Sequence, residues 1–499
     1  MIIKALPLKC TLLLIFISIL KGFTQTPAIK SIARQCSTVE LRKHVFKLAS
    51  KEMQGRLFAS HGDTLAAQYV SDGFKTANLK APYDNGSSYY QNVSATRFDD
   101  DTKLYLNGQV LPELDGWQLF LNLPYKAVDL PVLLTAFQTI EEWNKNIPEM
   151  NLSGKAVIIN YKVFSDLDRT DSLERVLKDK GVQLVIWSSP RSERTINLKR
   201  SLKFLPRYQE NPALLDLSPL PEISLGISRL EQLLKPDNIK PNRDLTWSIP
   251  GNKPYFQLRN TIGVERKRKN IQVTAPNVIG VIPGTDPDAA AVIVSAHHDH
   301  DGMNGDTVYF GAIDNASGTA AIMEIASLFN KAKNAGFKPK RSIIFASYTG
   351  EERGMLGSFY FAEHPLVPIN KTYAVLNIDM LGRPDTLHLK NTAPDSLNFA
   401  YILVRDTLNR GLRRSLMDAN TAVKLNLDTH YEQSQYAQRR VIGSDQYPFY
   451  LKGIPFVRID CGFVKEYHKP QDTPDKLNYA LLTRQTQLAF LTLWNICSN

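Results

Sequence analysis

From Ala290 to Arg383, short apolar runs end one after another in polar groups that could bind a metal ion. The runs, such as AVIVSA before His297, contain Val, Ile, Ala and Phe without alternation, a pattern typical of parallel strands buried on both faces. In open α/β sheets, ligands bind beyond the carboxyl ends of such strands. This stretch therefore predicts a mainly parallel sheet with a ligand site along one edge.

Length and composition indicate a large globular protein. The 499 residues exceed one ordinary core and suggest two or three domains, while 43% hydrophobic and 22% charged residues are usual for globular chains. The net charge of +11 is modest for this length, and its densest basic run is ERKRK at residues 265–269. Because no aromatic residue interrupts that run, we expect a solvated strand or turn and no nucleic-acid partner.

The N-terminus has the pattern of an export signal. Two lysines precede a ten-residue apolar run, Thr11 to Leu20, which is too short to span a bilayer. The pattern predicts a signal peptide at residues 1–25, cleaved between Gly22 and Thr26. We therefore expect a secreted or periplasmic protein without stable membrane insertion, and an uncleaved anchor is the alternative.

Few cysteines remain once this signal is removed. Cys10 precedes the apolar run and is badly placed for a lipoprotein signal, which leaves Cys36, Cys461 and Cys497. Three thiols form one disulfide at most, and the sequence does not say which pair. The hydrophobic core must therefore stabilise the chain.

Periodicity divides the remaining chain into three segments. Residues 26–115 contain two helical patterns and then strands with an Asn-Gly pair of the hairpin kind. Residues 116–255 contain a strand, a helix at 171–181 with a capping-box start, and a second strand, so we expect a smaller inserted α+β or β-rich domain. Residues 256–499 alternate strands and helices, which predicts an α/β domain with a mainly parallel mixed sheet flanked by helices.

The polar groups at the predicted strand ends contain imidazole and carboxylate ligands for a pair of divalent ions. Such ions are bound by histidine nitrogen and carboxylate oxygen, and one carboxylate must bridge them. The candidates are His297, Asp314, Glu352, Asp379 and His468. His298 and His300 are alternatives to His297, because a slip of one residue would also place an imidazole at the strand end.

Five motifs occur in a fixed order: HxD, GAxDNASG, GEExGxLGS, NxDMxG and YHxPxDT, within Asn277 to Thr473. This order resembles the M28 family of co-catalytic zinc peptidases, which includes secreted bacterial aminopeptidases and glutamate carboxypeptidases. Five ordered motifs are far more specific than any one alone. Residues 116–255 are similar, in strand-helix-strand texture only, to the protease-associated insertion of some members.

The resemblance implies two zinc ions per chain and a role for each matched residue. His297 and Asp379 would bind one zinc, Glu352 and His468 the other, and Asp314 would bridge them. Asp299 would orient the imidazole of His297, and Glu351 would be the general base. The implied mechanism is metal-assisted hydrolysis, in which Glu351 takes a proton from the activated water and gives it to the leaving amine.

Three further residues are candidates for substrate binding. Gln446 stands where the family usually has histidine after Ser-Asp. This difference would change either the contacts with the substrate or the packing alone. Tyr467 would stabilise the oxyanion or would pack beside His468. Arg383 would contact substrate or support a ligand, and the other histidines are expected to be structural.

The sequence thus predicts a secreted zinc metallopeptidase that acts on peptide or protein substrates, foremost as an aminopeptidase. A carboxypeptidase is the alternative, because the sequence does not show which chain end is recognised. A glutaminyl-cyclase-like acyl transferase would use a single zinc, whereas the ligand set is complete for two. A non-catalytic, receptor-like relative would have lost ligands, and none is missing.

Overall fold

The structure is a computed structural model of the chain. It describes residues 27–111, 117–120, 125–160, 173, 175–188, 207–209, 220–242, 245–390 and 397–498. The predicted signal peptide and the capping-box start of the 171–181 helix lie outside the described residues.

The described strands are numbered in chain order. They are β1 (Tyr90–Leu106), β2 (Gln109–Val110), β3 (Trp117–Phe120), β4 (Tyr125–Thr135), β5 (Ala156–Asn160), β6 (Leu184–Ser188), β7 (Arg207–Gln209), β8 (Glu222–Leu225), β9 (Tyr255–Ile282), β10 (Ala291–His297), β11 (Met303–Asn304), β12 (Thr307–Val308), β13 (Ile343–Tyr348), β14 (Thr372–Ile378), β15 (Phe399–Arg405), β16 (Asn426–Asp428) and β17 (Phe456–Asp460).

The α-helices are also numbered in chain order, and short helical segments at 27–33 and 175–179 are left unnumbered. They are α1 (Thr38–Leu48), α2 (His61–Thr76), α3 (Ile140–Asn146), α4 (Ile227–Leu234), α5 (Ser317–Asn334), α6 (Leu356–Glu363), α7 (Thr386–Lys390), α8 (Leu412–Val423), α9 (Ser434–Val441), α10 (Tyr447–Leu451) and α11 (Tyr479–Ser498).

The chain forms two compact units. Unit 1 comprises residues 1–94 and 273–499, and unit 2 comprises residues 95–272. The second unit is longer at both ends than the insertion predicted at 116–255, because β1 and β9 each have residues in both units. Long strands that continue across a domain boundary carry no turn signal, so the sequence pattern did not reveal this division.

Unit 1 contains the predicted mixed sheet. Its strand order is β16-β15-β17-β14-β10-β13, followed by the last residues of β9. β10 is parallel to β13 and β14, and β14 is parallel to β17. β15 is antiparallel to β17 and parallel to β16, and the end of β9 is antiparallel to β13. The carboxyl ends of β10, β13, β14 and β17 therefore lie at one edge of the sheet.

Helices α1, α5 and α11 contribute to the core on one face of this sheet. The apolar residues Ile322, Ile325 and Phe329 of α5 are buried in this core. The ring of Phe329 lies 5.1 Å from that of Phe490 in α11 and 6.2 Å from that of Phe345 in β13. The fully buried strands explain the continuous apolar runs of the sequence.

Unit 2 contains its own sheet, which runs from the first part of β9 through β4, β5, β6 and β8 to β3. The predicted strand-helix-strand is present, with β5 parallel to β6. The predicted hairpin is also present, because β1 and β2 pair across Asn107 and Gly108, both with positive φ. ERKRK lies within β9 and is therefore a strand, but Glu265 and Arg266 are buried, in contrast to the solvated strand that was expected.

Two further observations concern membrane spans and cysteines. In the described part of the chain, no helix is long and apolar enough to cross a bilayer. Cys36, Cys461 and Cys497 are buried and free. The unit 1 core is thus held together without a disulfide among these three residues.

Candidate metal centre

The five predicted ligands come together at the carboxyl edge of the unit 1 sheet. β10 ends at His297, which lies beside Tyr348 at the end of β13. Asp379 directly follows β14, and Glu352 lies in the 3₁₀ turn Glu351–Arg353 after β13. Parallel strands bring these side chains together because their carboxyl ends share one edge.

Asp314 lies between the two histidines. Its Oδ1 is 3.4 Å from Nε2 of His297, and its Oδ2 is 3.2 Å from Nε2 of His468. His297 Nε2 is also 3.4 Å from Asp379 Oδ1, and His468 Nε2 is 3.1 Å from Glu352 Oε2. Asp314 therefore offers one oxygen to each of two neighbouring positions, as a bridging carboxylate does.

The donor atoms of this cluster suit zinc. Within the described residues, His297 Nε2, His468 Nε2 and Asp379 Oδ1 are buried without a hydrogen-bond partner. Buried polar atoms are normally paired, so three unpaired atoms around Asp314 indicate a ligand. Groups of three ligand atoms within 4.8 Å of one another are His297-Asp314-Asp379, His300-Asp314-Glu352 and Asp301-Glu352-His468. Imidazole and carboxylate are the donors that zinc accepts.

The GAIDNASG motif places Asp314 through its glycine and asparagine. A Cβ on Gly311, at φ +55°, would meet Asp314 O at 2.3 Å and the ring of His300 at 2.5 Å. The Asn315 side chain donates to Ile378 O and accepts from the N–H of Met380. Asn315 thus ties the bridging residue to the end of β14, which carries Asp379.

The ligands of both positions have polar partners behind them. Asp299 Oδ1 lies 3.5 Å from His297 Nδ1, where the family resemblance expects an orienting carboxylate. Arg458 Nη2 donates to Asp379 Oδ2 at 3.1 Å. Burial alone would raise the pKa of Asp379, but Arg458 and His297 outweigh it and hold that pKa at about 2. Asp379 is therefore ionised and ready to bind a cation.

Glu352 has partners on both of its oxygens. Its Oε1 is 2.9 Å from His300 Nδ1, while its Oε2 faces His468. Burial would raise the pKa of Glu352, but His468 and His300 overcome it and hold the pKa well below its usual range. His300 thus remains close enough to be a ligand, and its contact with Glu352 also suits a supporting role.

His298, the other alternative ligand, lies in a different environment. Its Nδ1 is 3.0 Å from Ser347 Oγ, and its Nε2 is 3.2 Å from Asp63 Oδ1 in α2. It belongs to none of the metal-holding groups found among the described residues. His298 therefore links the sheet to α2.

Glu351 lies beside the cluster without joining it. Its Oε2 is 3.9 Å from His297 Nε2, and it is absent from the metal-holding groups in the described chain. Burial raises the pKa of Glu351 well above its usual range, although His297 acts in the opposite direction. A carboxylate with a raised pKa beside a metal position is suited to accept a proton.

Arg56 connects the loops that carry the ligands. It is fully buried and donates to the carbonyl oxygens of His298, Phe310 and Gly311, as well as to Leu48 O in α1. Burial lowers the pKa of Arg56 to about 10, while Asp299 and Asp472 favour its charged form. The buried guanidinium of Arg56 therefore links the loop that follows β10 to the segment that leads to Asp314.

The three weaker candidates have distinct surroundings. The Tyr467 ring lies 3.9 Å from that of His468, and burial together with Asp314 raises the Tyr467 pKa above its usual range, so the phenol keeps its proton. Arg383 Nη2 donates to Glu466 at 2.6 Å. Gln446 is buried, donates to Arg440 O and accepts from Asn377. A substrate contact at Gln446 would require these hydrogen bonds to break.

Sequence reasoning missed several residues around the cluster. Arg56, Asp63 and Asp301 were not singled out, and neither was Arg458 in β17. An arginine inside the apolar strand PFVRID is a signal that could have been used, because a buried guanidinium needs an acidic partner. Asp301 directly follows the HHDH cluster, so it could have been included with that motif.

Part of the chain is similar in sequence to known peptidases. The sequence model of a family described as peptidase family M28 matches residues 277–493. A probable glutamate carboxypeptidase, LAMP1 of Arabidopsis thaliana, is 38% identical over 104 residues, which are 21% of this chain and 14% of that protein. The chain thus spans about one seventh of the length of that relative.

Two solved structures share the fold over nearly the whole chain. An aminopeptidase from Aneurinibacillus sp. strain AM-1 has a TM-score of 0.60 at 16% identity, covering 93% of this chain and 95% of that one. BSAP, a zinc aminopeptidase from Bacillus subtilis, has a TM-score of 0.55 at 14% identity, again covering 93% and 95%. At these identities the likeness establishes the fold.

Proposed function

Because residues 277–493 belong to peptidase family M28, we propose that this chain is an exported two-zinc exopeptidase, and specifically an aminopeptidase. The observation that carries the proposal is the position of Asp314, with one oxygen facing His297 and the other facing His468. His297 and Asp379 would hold one ion, and Glu352 and His468 the other. Asp314 would bridge the two ions.

The protein side chains would divide the chemistry among them. Bound zinc would supply a Lewis acid for the scissile carbonyl and would acidify the attacking water. Glu351 takes the proton of that water and returns it to the leaving amine, which its raised pKa favours. The protonated phenol of Tyr467 donates to the developing oxyanion.

The charges around the cluster favour recognition of an amino terminus. A terminal carboxylate would need a free guanidinium, whereas four arginines of unit 1 already have acidic partners. Arg353 is paired with Asp301, Arg383 with Glu466, Arg440 with Asp460, and Arg458 with both Asp379 and Asp460. The two structural neighbours are also named as aminopeptidases.

A matched pair of substrates tests this specificity. We expect hydrolysis of an aminoacyl nitroanilide with a free amino group, loss of hydrolysis when that group is acetylated, and inhibition by a chelator. Cleavage of a C-terminal residue from an amino-blocked peptide would instead identify a carboxypeptidase, the activity in the name of the Arabidopsis relative. If the zinc-bound protein shows neither of these two activities, the proposal of an exopeptidase is contradicted.

Zinc bound per chain separates the remaining alternatives. We expect about two ions per chain, whereas a cyclase-like enzyme would bind one and a receptor-like protein none. Export is proposed from the basic and apolar pattern of residues 1–25. Sequencing the N-terminus of the mature protein tests it, and retention of Met1 would contradict cleavage.

A further inference from the structure

The imidazole of His468 has carboxylate oxygens close to both of its nitrogens. Its Nε2 faces Asp314 and Glu352, at the position assigned to a metal ion. Its Nδ1 lies 3.2 Å from Oδ2 of Asp301. Metal-binding histidines commonly donate their second N–H to a carboxylate, which fixes the tautomer and makes the other nitrogen a better ligand.

Asp301 is itself held in a fixed position. It is only 1% exposed, and its Oδ1 accepts a hydrogen bond from Nη2 of Arg353 at 2.9 Å. The backbone on both sides is also bound, because His300 donates to Arg56 O and Gly302 donates to Gly55 O. The backbones of Gly55 and Gly302 approach so closely that a Cβ on Gly55 would lie 2.1 Å from Gly302 O. Asp301 can therefore restrain a neighbour.

His468 needs such a restraint. It has a positive φ of 52°, which is unusual for a residue with a side chain, and it lies in the loop after β17. Its ring contacts Tyr467 at 3.9 Å and His300 at 5.6 Å, between ring centroids. These ring contacts limit the rotation of the imidazole but do not determine which nitrogen carries the proton. The carboxylate of Asp301 beside Nδ1 can determine it, by accepting a hydrogen bond from Nδ1–H.

We propose that Asp301, held by Arg353, is the positioning residue of His468. It keeps the proton on Nδ1 and directs the Nε2 lone pair toward the second zinc. This inference rests on the proposed function. It gives the second position the same kind of support that Asp299 gives His297, from two residues further along the same loop.

A series of variants tests this role by metal affinity as well as activity. D301A should weaken binding of one zinc by about 10- to 100-fold in a competition titration with a chelator, and leave the other zinc unchanged. D301N should have a smaller effect, because the amide oxygen still accepts a hydrogen bond without a full charge. D306N is the matched control, since Asp306 is exposed on the same segment, and it should match the wild type.

A double-mutant cycle separates positioning from direct metal binding, because Asp301 also lies within reach of the ligand atoms of Glu352 and His468. If Asp301 acts through His468, D301A should have no further effect on zinc affinity in an H468A background. R353M should weaken the same zinc in the wild-type background and have no effect in D301A. Circular dichroism confirms that each variant is folded.

Two results would overturn the inference while leaving the proposed function intact. One is a D301A variant whose two zinc affinities equal those of the wild type. The other is a full additional loss in the H468A background, which would make Asp301 a ligand in its own right. Absence of zinc from the wild-type protein would instead contradict the proposed function.

Discussion

Asp299 Oδ1 accepts the backbone N–H of Glu351 at 3.0 Å and lies 3.5 Å from Nδ1 of His297. The other oxygen of Asp299 accepts the N–H of Glu352 at 3.3 Å. One carboxylate therefore supports an imidazole ligand and the start of the turn that carries both the proposed base and another ligand. Base and metal positions are fixed relative to each other by this shared partner.

Replacement of Glu351 by Gln should separate proton transfer from metal binding. Glu351 lies outside the metal-holding groups of the described chain, so E351Q should keep the wild-type zinc content and KM. Loss of the general base should lower kcat by about 10²- to 10⁴-fold. Steady-state kinetics with a parallel zinc assay measure both, and E363Q is an exposed control in α6. Turnover that survives in E351Q would show that the base is misassigned.

The sequence predicted the edge of the sheet and its ligands because both depend on local patterns. Unalternating apolar runs marked β10, β13 and β14, and the polar residues after them marked their carboxyl ends. The family resemblance then gave each matched residue an expected role. The structure brings all five predicted ligands together, and their individual roles stay predictions.

Residues that act through backbone carbonyls could not be predicted in this way. Arg56 donates to His298 O, 242 residues away, and a carbonyl oxygen leaves no trace in the sequence. The surroundings of His468 depend on the φ of its own loop and on the 3₁₀ turn that carries Arg353. Such contacts arise from tertiary packing, which a local pattern does not encode.

Replacement of Arg56 should damage the fold as well as the metal centre. R56M leaves the carbonyl groups of Leu48, His298 and Phe310 without their donor, whereas Gly311 O still accepts the N–H of Ala316. Each unsatisfied buried group costs about 1 to 3 kcal/mol, so we expect a loss of at least about 3 kcal/mol in the free energy of unfolding. R56K should lose less, because its ammonium keeps up to three donors.

The measurement for Arg56 is urea unfolding of the metal-free proteins, which removes the effect of zinc on stability. Arg34 offers a control, because it is an exposed arginine directly after the helical segment 27–33, and R34M should unfold like the wild type. Equal unfolding free energies for R56M and the wild type would show that the carbonyl contacts contribute nothing net.

Removal of zinc should lower the melting temperature. The cluster around Asp314 is formed only in the folded chain, and a ligand that binds only the folded state stabilises it. The gain is about 4 kcal/mol when free zinc is 1,000 times its dissociation constant. Calorimetry before and after chelation measures the shift, which zinc should restore and magnesium should not, since Mg²⁺ disfavours imidazole ligands. An unchanged transition would argue against bound zinc.

Acid should destabilise unit 1 through His44 in α1. Burial lowers the pKa of His44 to about 4, although Glu40 acts in the opposite direction, and its Nδ1 lies 2.8 Å from the hydroxyl of Tyr69. Since the unfolded chain binds this proton near pH 6.5, protonation favours unfolding as the pH falls from about 6.5 to 4. Neutral His44 carries no such penalty above that range.

The wild type should therefore lose more stability than H44Q between pH 7 and pH 5. Integration over that interval gives a difference on the order of 1 to 2 kcal/mol, reduced by the partial exposure of the ring. Urea unfolding of both proteins at the two pH values measures this difference in stability. Any release of zinc by acid affects both proteins equally and cancels in the comparison. H61Q, at an exposed histidine of α2, should follow the wild type. Parallel losses in H44Q and the wild type would mean that His44 is protonated equally easily in the folded and unfolded chains.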